Sequence, residues 1–182
     1  RLSLQVAPRQ RRSGGVVEVD LPREKLPAES CEAVRLGVED GLATGWLGHF
    51  PIMDGEVRVA DASFDAQTSS AVAFRTAAVM ALRDALRQAA PVLLEPIMAL
   101  EITVPSEYMG DVMGDLNARR GKVKGLVSRP PAQIIRAEAP LMELFGYATT
   151  IRSLTRGRAG YTMEPLVFEI VPELIQKRIL SR

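Results

Sequence analysis

The sequence predicts an α+β protein of two small domains, and three observations carry this. Alternating apolar and polar segments are interleaved with 3.6-residue apolar stripes along all 182 residues. A long helical pattern is stopped by Pro91, and a new alternating run begins at Met98, which puts a boundary at Val92–Pro96. Beyond that boundary the elements read strand, helix, strand, strand, helix, strand. The expected domains are therefore residues 1–94 and 95–182.

Leu2, Leu4 and Val6 alternate with Ser3 and Gln5, a strand that Pro8 closes. Arg9 to Gly15 is polar and basic and ends in Gly-Gly, which predicts an exposed turn. Val16 to Leu21 alternates again and reads as the returning strand of a hairpin. A helix opens at Leu26-Pro27-Ala28-Glu29, with Cys31, Val34, Val38 and Leu42 on one face and Gly45 at its end. Trp46 to Val59 reads as a turn and a strand, and Ala60 to Ser69 as a loop with Thr68 or Ser69 capping the next helix. That helix shows Phe74, Ala77, Ala78, Ala81, Leu82 and Ala85 on one stripe, and its alanines predict close approach to a sheet.

In the second half Met98, Leu100, Ile102 and Val104 alternate as a half-buried strand. Ser106 is placed to cap a helix with Met109, Val112, Met113 and Leu116 inward, and Gly121 to end it. Two short strands follow, around Val123–Ser128 and Gln133–Glu138, joined at Pro130-Pro131. A helix begun by Pro140 carries Leu141, Leu144, Phe145 and Ala148, so Phe145 is expected in the core and Tyr147 off the stripe. A strand from Gly160 to Val171 and a short tail helix complete a ferredoxin-like βαββαβ order. Pro165 interrupts the last strand, where only an edge or a bulge accepts it.

Composition excludes several classes of function. The apolar fraction is 47%, and no apolar run is long enough to span a bilayer. Arg1-Leu2-Ser3-Leu4 leads into the first alternating segment, so no signal peptide is expected. A single cysteine excludes intrachain disulfides and fits a reducing, cytoplasmic setting. The lone histidine, His49, has no cysteine pair or second histidine for a metal site or triad. Ser13-Gly14-Gly15 lacks the Gly-Lys-Ser/Thr of a phosphate loop, and Ser63 between Asp61 and Asp65 has no base to activate it. No catalytic site is expected in the chain, and no cofactor.

The net charge of +1 does not mark a nucleic-acid binder, but its distribution does point to anions. Arg9, Arg11 and Arg12 cluster near the start. Arg119, Arg120, Lys122 and Lys124 cluster mid-chain, and Arg152, Arg156 and Arg158 follow the last core-facing helix beside Gly157. The competing reading of the last group is a solvated helix end whose cations complement the dipole.

Three motifs extend the argument. Glu95-Pro96-Ile97-Met98, Gly114-Asp115-Leu116-Asn117-Ala118-Arg119-Arg120-Gly121 and Phe145 to Arg158 (FGYATTIRSLTRGR) resemble the C-terminal part of elongation factor G, the translocation GTPase. The resemblance covers nearly the whole chain, most firmly Ala73 to Pro172. It implies a domain IV with the fold of ribosomal protein S5 domain 2, then a ferredoxin-like domain V. It also implies a ribosomal role: domain IV near the tRNA–mRNA duplex of the decoding region, and domain V near the stalk base and rRNA. GTP and Mg²⁺ would bind elsewhere in the intact protein. No membrane partner is implied, and a monomer is expected.

Two departures stand out. Ser13-Gly14-Gly15 fits the family's tip loop, yet the further glycines are absent, and between Pro22 and Leu26 only Arg23, Glu24 and Lys25 replace a strand and a Gly-Gly turn. Asp65 falls where the family has a tip histidine, ahead of Thr68-Ser69-Ser70. A paralogue acting in ribosome recycling or ribosome protection is therefore the alternative. On the resemblance, Arg9, Arg11, Arg12, Ser13, Gly14 and Gly15 form one exposed tip with Phe64, Asp65 and Gln67. Arg119, Arg120, Arg152, Arg156 and Arg158 then face rRNA or a stalk protein.

Overall fold

The structure is a computed structural model, which describes residues 1–19, 26–65, 67 and 69–181. The chain divides into two compact units, Arg1–Pro91 with Lys177–Arg182, and Val92–Gln176.

The first unit holds β1 (Leu2–Pro8), β2 (Val16–Glu18), α1 (Ala28–Thr44), β3 (Gly55–Ala62) and α2 (Ala71–Ala89). Its sheet order is β1-β3-β2. The expected hairpin is not formed: β1 pairs antiparallel with β3, and β2 pairs parallel with β3 on the other side. The physical reason lies in β3, whose Val57 and Val59 are 0% and 3% exposed, whereas β1 and β2 bury their apolar residues only in part. The most apolar strand takes the centre, and the polar Arg9–Gly15 stretch is long enough to carry the chain past its end. Residues 20 and 21 of the expected returning strand lie outside the described residues.

Helix α1 buries Val34 and Val38 fully, and α2 buries Phe74, Ala78, Leu82 and Leu86. Each of the larger apolar side chains stabilises the unit by about 1.5–3 kcal/mol. The small residues of α2 bring it against α1 as well as the sheet. A Cβ at Gly37 would lie 2.5 Å from the carbonyl oxygen of Arg75 and 2.9 Å from the Ala78 Cβ, so α1 needs glycine there. The N-cap of α2 is Ser70, whose Oγ accepts from the Ala73 N–H at 3.1 Å. Ser69, one of the two expected caps, instead accepts from the Asp65 N–H at 3.0 Å, and Thr68 lies outside the described residues.

The second unit holds β4 (Leu94–Pro105), α3 (Met109–Ala118), β5 (Lys122–Arg129), β6 (Ala132–Pro140), α4 (Tyr147–Leu154) and β7 (Gly160–Ile170); α5 spans Glu173–Leu180. Its antiparallel sheet has the order β5-β6-β4-β7, the ferredoxin-like arrangement. Met98, Leu100, Ile102 and Val104 of β4 meet Ile135, Ala137 and Ala139 of β6 beneath Val112, Leu116, Tyr147 and Ile151. Pro165 sits on the edge strand and at a bulge, where Met98 pairs with Pro165 and Ile97 with Val167. Both conditions that accept a proline are met together.

Local readings change at Ser106 and after Pro140. Ser106 does not cap α3; it starts a 3-10 turn, Ser106–Tyr108, and its Oγ accepts from Gln133 Nε2 at 3.1 Å. Gly121 closes α3 as expected, with Arg120 before it at the left-handed position (φ 61°). The Gly121 N–H reaches back to the Leu116 carbonyl at 2.7 Å, and the Arg120 N–H to that of Asn117 at 3.1 Å, a Schellman closure.

The helix expected from Pro140 is broken. A 3-10 turn covers Leu141–Leu144, Phe145 is extended, Gly146 has φ 75°, and α4 begins only at Tyr147. The break reverses the two aromatics: Phe145 is 76% exposed and Tyr147 1%. One unbroken 3.6-residue period would bury Phe145, and Gly146 resets that period.

Candidate RNA-binding surfaces

In the first unit, the Arg9–Gly15 turn is organised by Asp54, one residue before β3. Its carboxylate accepts from the N–H of Arg12 and of Gly14, each at 2.9 Å, and its carbonyl from the Arg9 N–H at 2.8 Å. These backbone donors, the Arg12 N–H foremost, hold the Asp54 carboxyl below its usual range, and the nearby Arg9 charge adds to the effect. The Arg9 guanidinium closes the turn from the other side, donating to the carbonyls of Ser13 at 3.3 Å and Gly14 at 3.1 Å. Arg9 is thus partly spent on the turn, while Arg11, Arg12, Ser13, Gly14 and Gly15 are exposed. The sequence signal for Asp54 is the turn pair Asp54-Gly55 directly before an alternating strand.

The Phe64–Gln67 loop lies elsewhere. The β1–β3 register pairs Leu2 with Ala62 and Pro8 with Gly55. The Arg9–Gly15 turn therefore leaves one end of the sheet and the Phe64 loop the other, about 20 Å apart at the usual rise per residue. Ser63 confirms the second end, since its Oγ accepts from the amino group of Arg1 at 3.0 Å. The single tip expected from both segments is thus corrected to two separate features. Phe64 stacks on Phe74 at 6.3 Å between centroids, and Asp65 Oδ1 accepts from the Gln67 N–H at 2.8 Å.

In the second unit the arginines divide by what they touch. Arg119 is enclosed: its guanidinium donates to Asp115 Oδ2 at 2.8 Å and Thr150 Oγ1 at 3.0 Å, bonds the Glu143 carbonyl, and lies 5.2 Å over the Tyr147 ring. It ties α3 to α4. Arg120 grips both carboxylate oxygens of Glu95, one at 3.1 Å, and stands 3.7 Å from Glu143. The Glu95 side chain is 7% exposed, so this pair is structural. Arg158 stacks 4.7 Å over Tyr108 and bonds its hydroxyl and Glu107.

Arg152 and Arg156 differ. Both are exposed, and neither guanidinium has a hydrogen-bond or ion-pair partner among the described residues. Arg156 takes the left-handed position after α4 (φ 51°), and the Gly157 N–H bonds the Arg152 carbonyl at 2.7 Å. This repeats the Arg120-Gly121 device at the second helix. Arg152 and Thr149 are exposed on α4, whose buried residues are Tyr147 and Ile151, and Arg156 is exposed just past its end. Exposed cations of this kind can bind an anion. Among the described residues no group of three or more His, Cys, Asp or Glu could hold a metal ion, and no helix is long and apolar enough to cross a membrane.

Comparison with known families decides the lineage. The family described as elongation factor G, domain IV, matches residues 1–90, and the family described as elongation factor G C-terminus matches residues 92–179. The chain belongs to the elongation factor G family. A crystal structure of a protein from Thermus thermophilus superposes with a TM-score of 0.85 at 33% identity, over 99% of this chain and 27% of that one. The chain thus spans about a quarter of the length of that protein. Within the elongation factor G framework, the first unit is domain IV with its Asp54-held turn. The second is the C-terminal domain, which carries Arg152 and Arg156.

Proposed function

We propose that this chain is the ribosome-binding part of a translational GTPase that drives tRNA and mRNA translocation. The observation that carries the reading is the exposed Arg152 and Arg156 on the ferredoxin-like unit of an elongation factor G family chain. Cations with no acidic partner among the described residues suit rRNA phosphates or an acidic surface of the stalk base. The Asp54-held turn of the first unit, with Arg11 and Arg12 exposed, is the second contact, toward tRNA and mRNA in the decoding region. Neither role asks this chain for a catalytic group. GTP and Mg²⁺ belong to a nucleotide site outside it, since no phosphate loop occurs in these residues. The factor acts as a cytoplasmic monomer.

A second reading, a paralogue for ribosome recycling or protection, is favoured by Asp65. A carboxylate there would meet RNA with like-charge repulsion where the family resemblance implies a histidine. The intact factor separates the readings. Translocation followed by toeprinting on pre-translocation ribosomes is expected to proceed with GTP. Subunit splitting without translocation would favour recycling, and neither activity would reject both.

A further inference from the structure

We propose that Trp46, Arg83 and Arg87 form a further RNA-binding surface on the first unit, one that takes single-stranded RNA. The inference rests on the ribosome-binding reading and adds a surface to it.

Arg83 and Arg87 lie 4.8 Å and 5.3 Å over the Trp46 ring. They are one turn apart on α2, whose Leu82 and Leu86 are 1% and 4% exposed, so the helix that projects them is fixed. Like charges at this spacing repel, and such a pair is disfavoured without compensation. The indole supplies part of that compensation, as the best aromatic partner for a guanidinium. No carboxylate supplies the rest: neither arginine has an ion pair among the described residues. The remaining capacity of both groups is for an anion, and the guanidinium fork matches phosphate oxygens.

The loop that carries Trp46 is built rather than loose. The Gly45 N–H bonds the Gly41 carbonyl at 2.9 Å, the Phe50 N–H that of Leu47 at 3.1 Å, and the Ile52 N–H that of Leu42 at 2.8 Å. A Cβ at Gly45 would fall 1.7 Å from the Phe50 carbonyl oxygen, and its φ is 70°. Gly48 and His49 follow at φ 57° and 62°, which turns the chain tightly and leaves Phe50 46% exposed. Two cations set on one aromatic, with exposed His49 and Phe50 on the same short loop, combine phosphate binding with base stacking. That combination favours single-stranded RNA over an acidic protein, which offers no bases to stack.

The chain has one tryptophan, so its emission reads this site alone. The probe is a 20-nucleotide oligouridylate titrated into the full 182-residue chain. A saturable change in Trp46 emission is expected, with inorganic phosphate at equal ionic strength failing to produce it. In Arg83→Gln/Arg87→Gln the salt slope of binding, followed with labelled RNA, should fall by about 1.4, at about 0.7 per single-strand phosphate contact. Arg83→Lys/Arg87→Lys should keep most of the slope, which separates charge from folding. An unchanged slope in the glutamine variant, or the same emission change with polyglutamate or phosphate, would overturn the inference. Ribosome association of Arg83→Gln/Arg87→Gln and of Arg152→Gln/Arg156→Gln is measured in parallel. If only the latter variant loses binding, this surface is wrong and the ribosome reading stands; if neither does, both fall.

Discussion

Arg120, at a left-handed backbone position, grips the buried carboxylate of Glu95 with two guanidinium nitrogens. The ion pair explains why a side chain other than glycine is held there. Glu95 is 5% exposed overall and would be an uncompensated charge without it. Arg120→Ala should cost about 2–3 kcal/mol in urea unfolding, somewhat below the usual figure for breaking a buried pair because Glu143 and solvent also reach Arg120. Adding Glu95→Gln should recover a large part of that loss. Equal losses in the single and double variants would show that the pair is not the cause.

The aromatics of the 145–147 segment should respond in opposite ways. Phe145→Ala should change stability by less than about 0.5 kcal/mol, as expected for an exposed side chain. Tyr147→Ala should cost about 3–5 kcal/mol. Tyr147→Phe should be neutral or stabilising by about 1 kcal/mol, because the Tyr147 hydroxyl is buried without a hydrogen-bond partner among the described residues. Burial also pushes the Tyr147 phenol well above its ordinary pKa. A large loss in Tyr147→Phe would mean that the hydroxyl has a partner after all.

Asp54 gives a pH signature. Its folded-state pKa is depressed, so the contribution to the turn is present above the unfolded value, near 3.8, and is lost as pH falls through the lower folded value. Amide exchange at Arg12 and Gly14 should be protected at about pH 5 and lose that protection only as pH falls below the ordinary carboxylate value. Asp54→Ala should remove the protection throughout that range. Protection that survives in the alanine variant would show that the Arg9 contacts hold the turn by themselves.

Much of the fold was legible because it rests on local periodicity. The βαββαβ order, the Val34–Val38 face of α1 and the edge position of Pro165 followed from apolar spacing and proline chemistry. Strand pairing was less legible: alternation marks Val16–Glu18 as a strand, but only the burial of Val57 and Val59 makes β3 central. The break at Phe145-Gly146 was hidden because one glycine inside a regular stripe shifts every later residue. The basic clusters were visible as charge, yet the sequence could not say that Arg119 and Arg120 are engaged by Asp115, Thr150 and Glu95. It could not say either that Arg152 and Arg156 have no such partners among the described residues.

The central claim is that Arg152 and Arg156 bind the ribosome and do not hold the domain together. The decisive measurement is co-sedimentation of Arg152→Gln/Arg156→Gln with ribosomes across a salt series, in the intact factor, beside its thermal midpoint. The account predicts a midpoint within a few degrees of the parent, since exposed cations contribute little to stability, and a salt slope reduced by about 1 per lost phosphate contact. An unchanged slope and unchanged association, or unfolding of the variant, would contradict it.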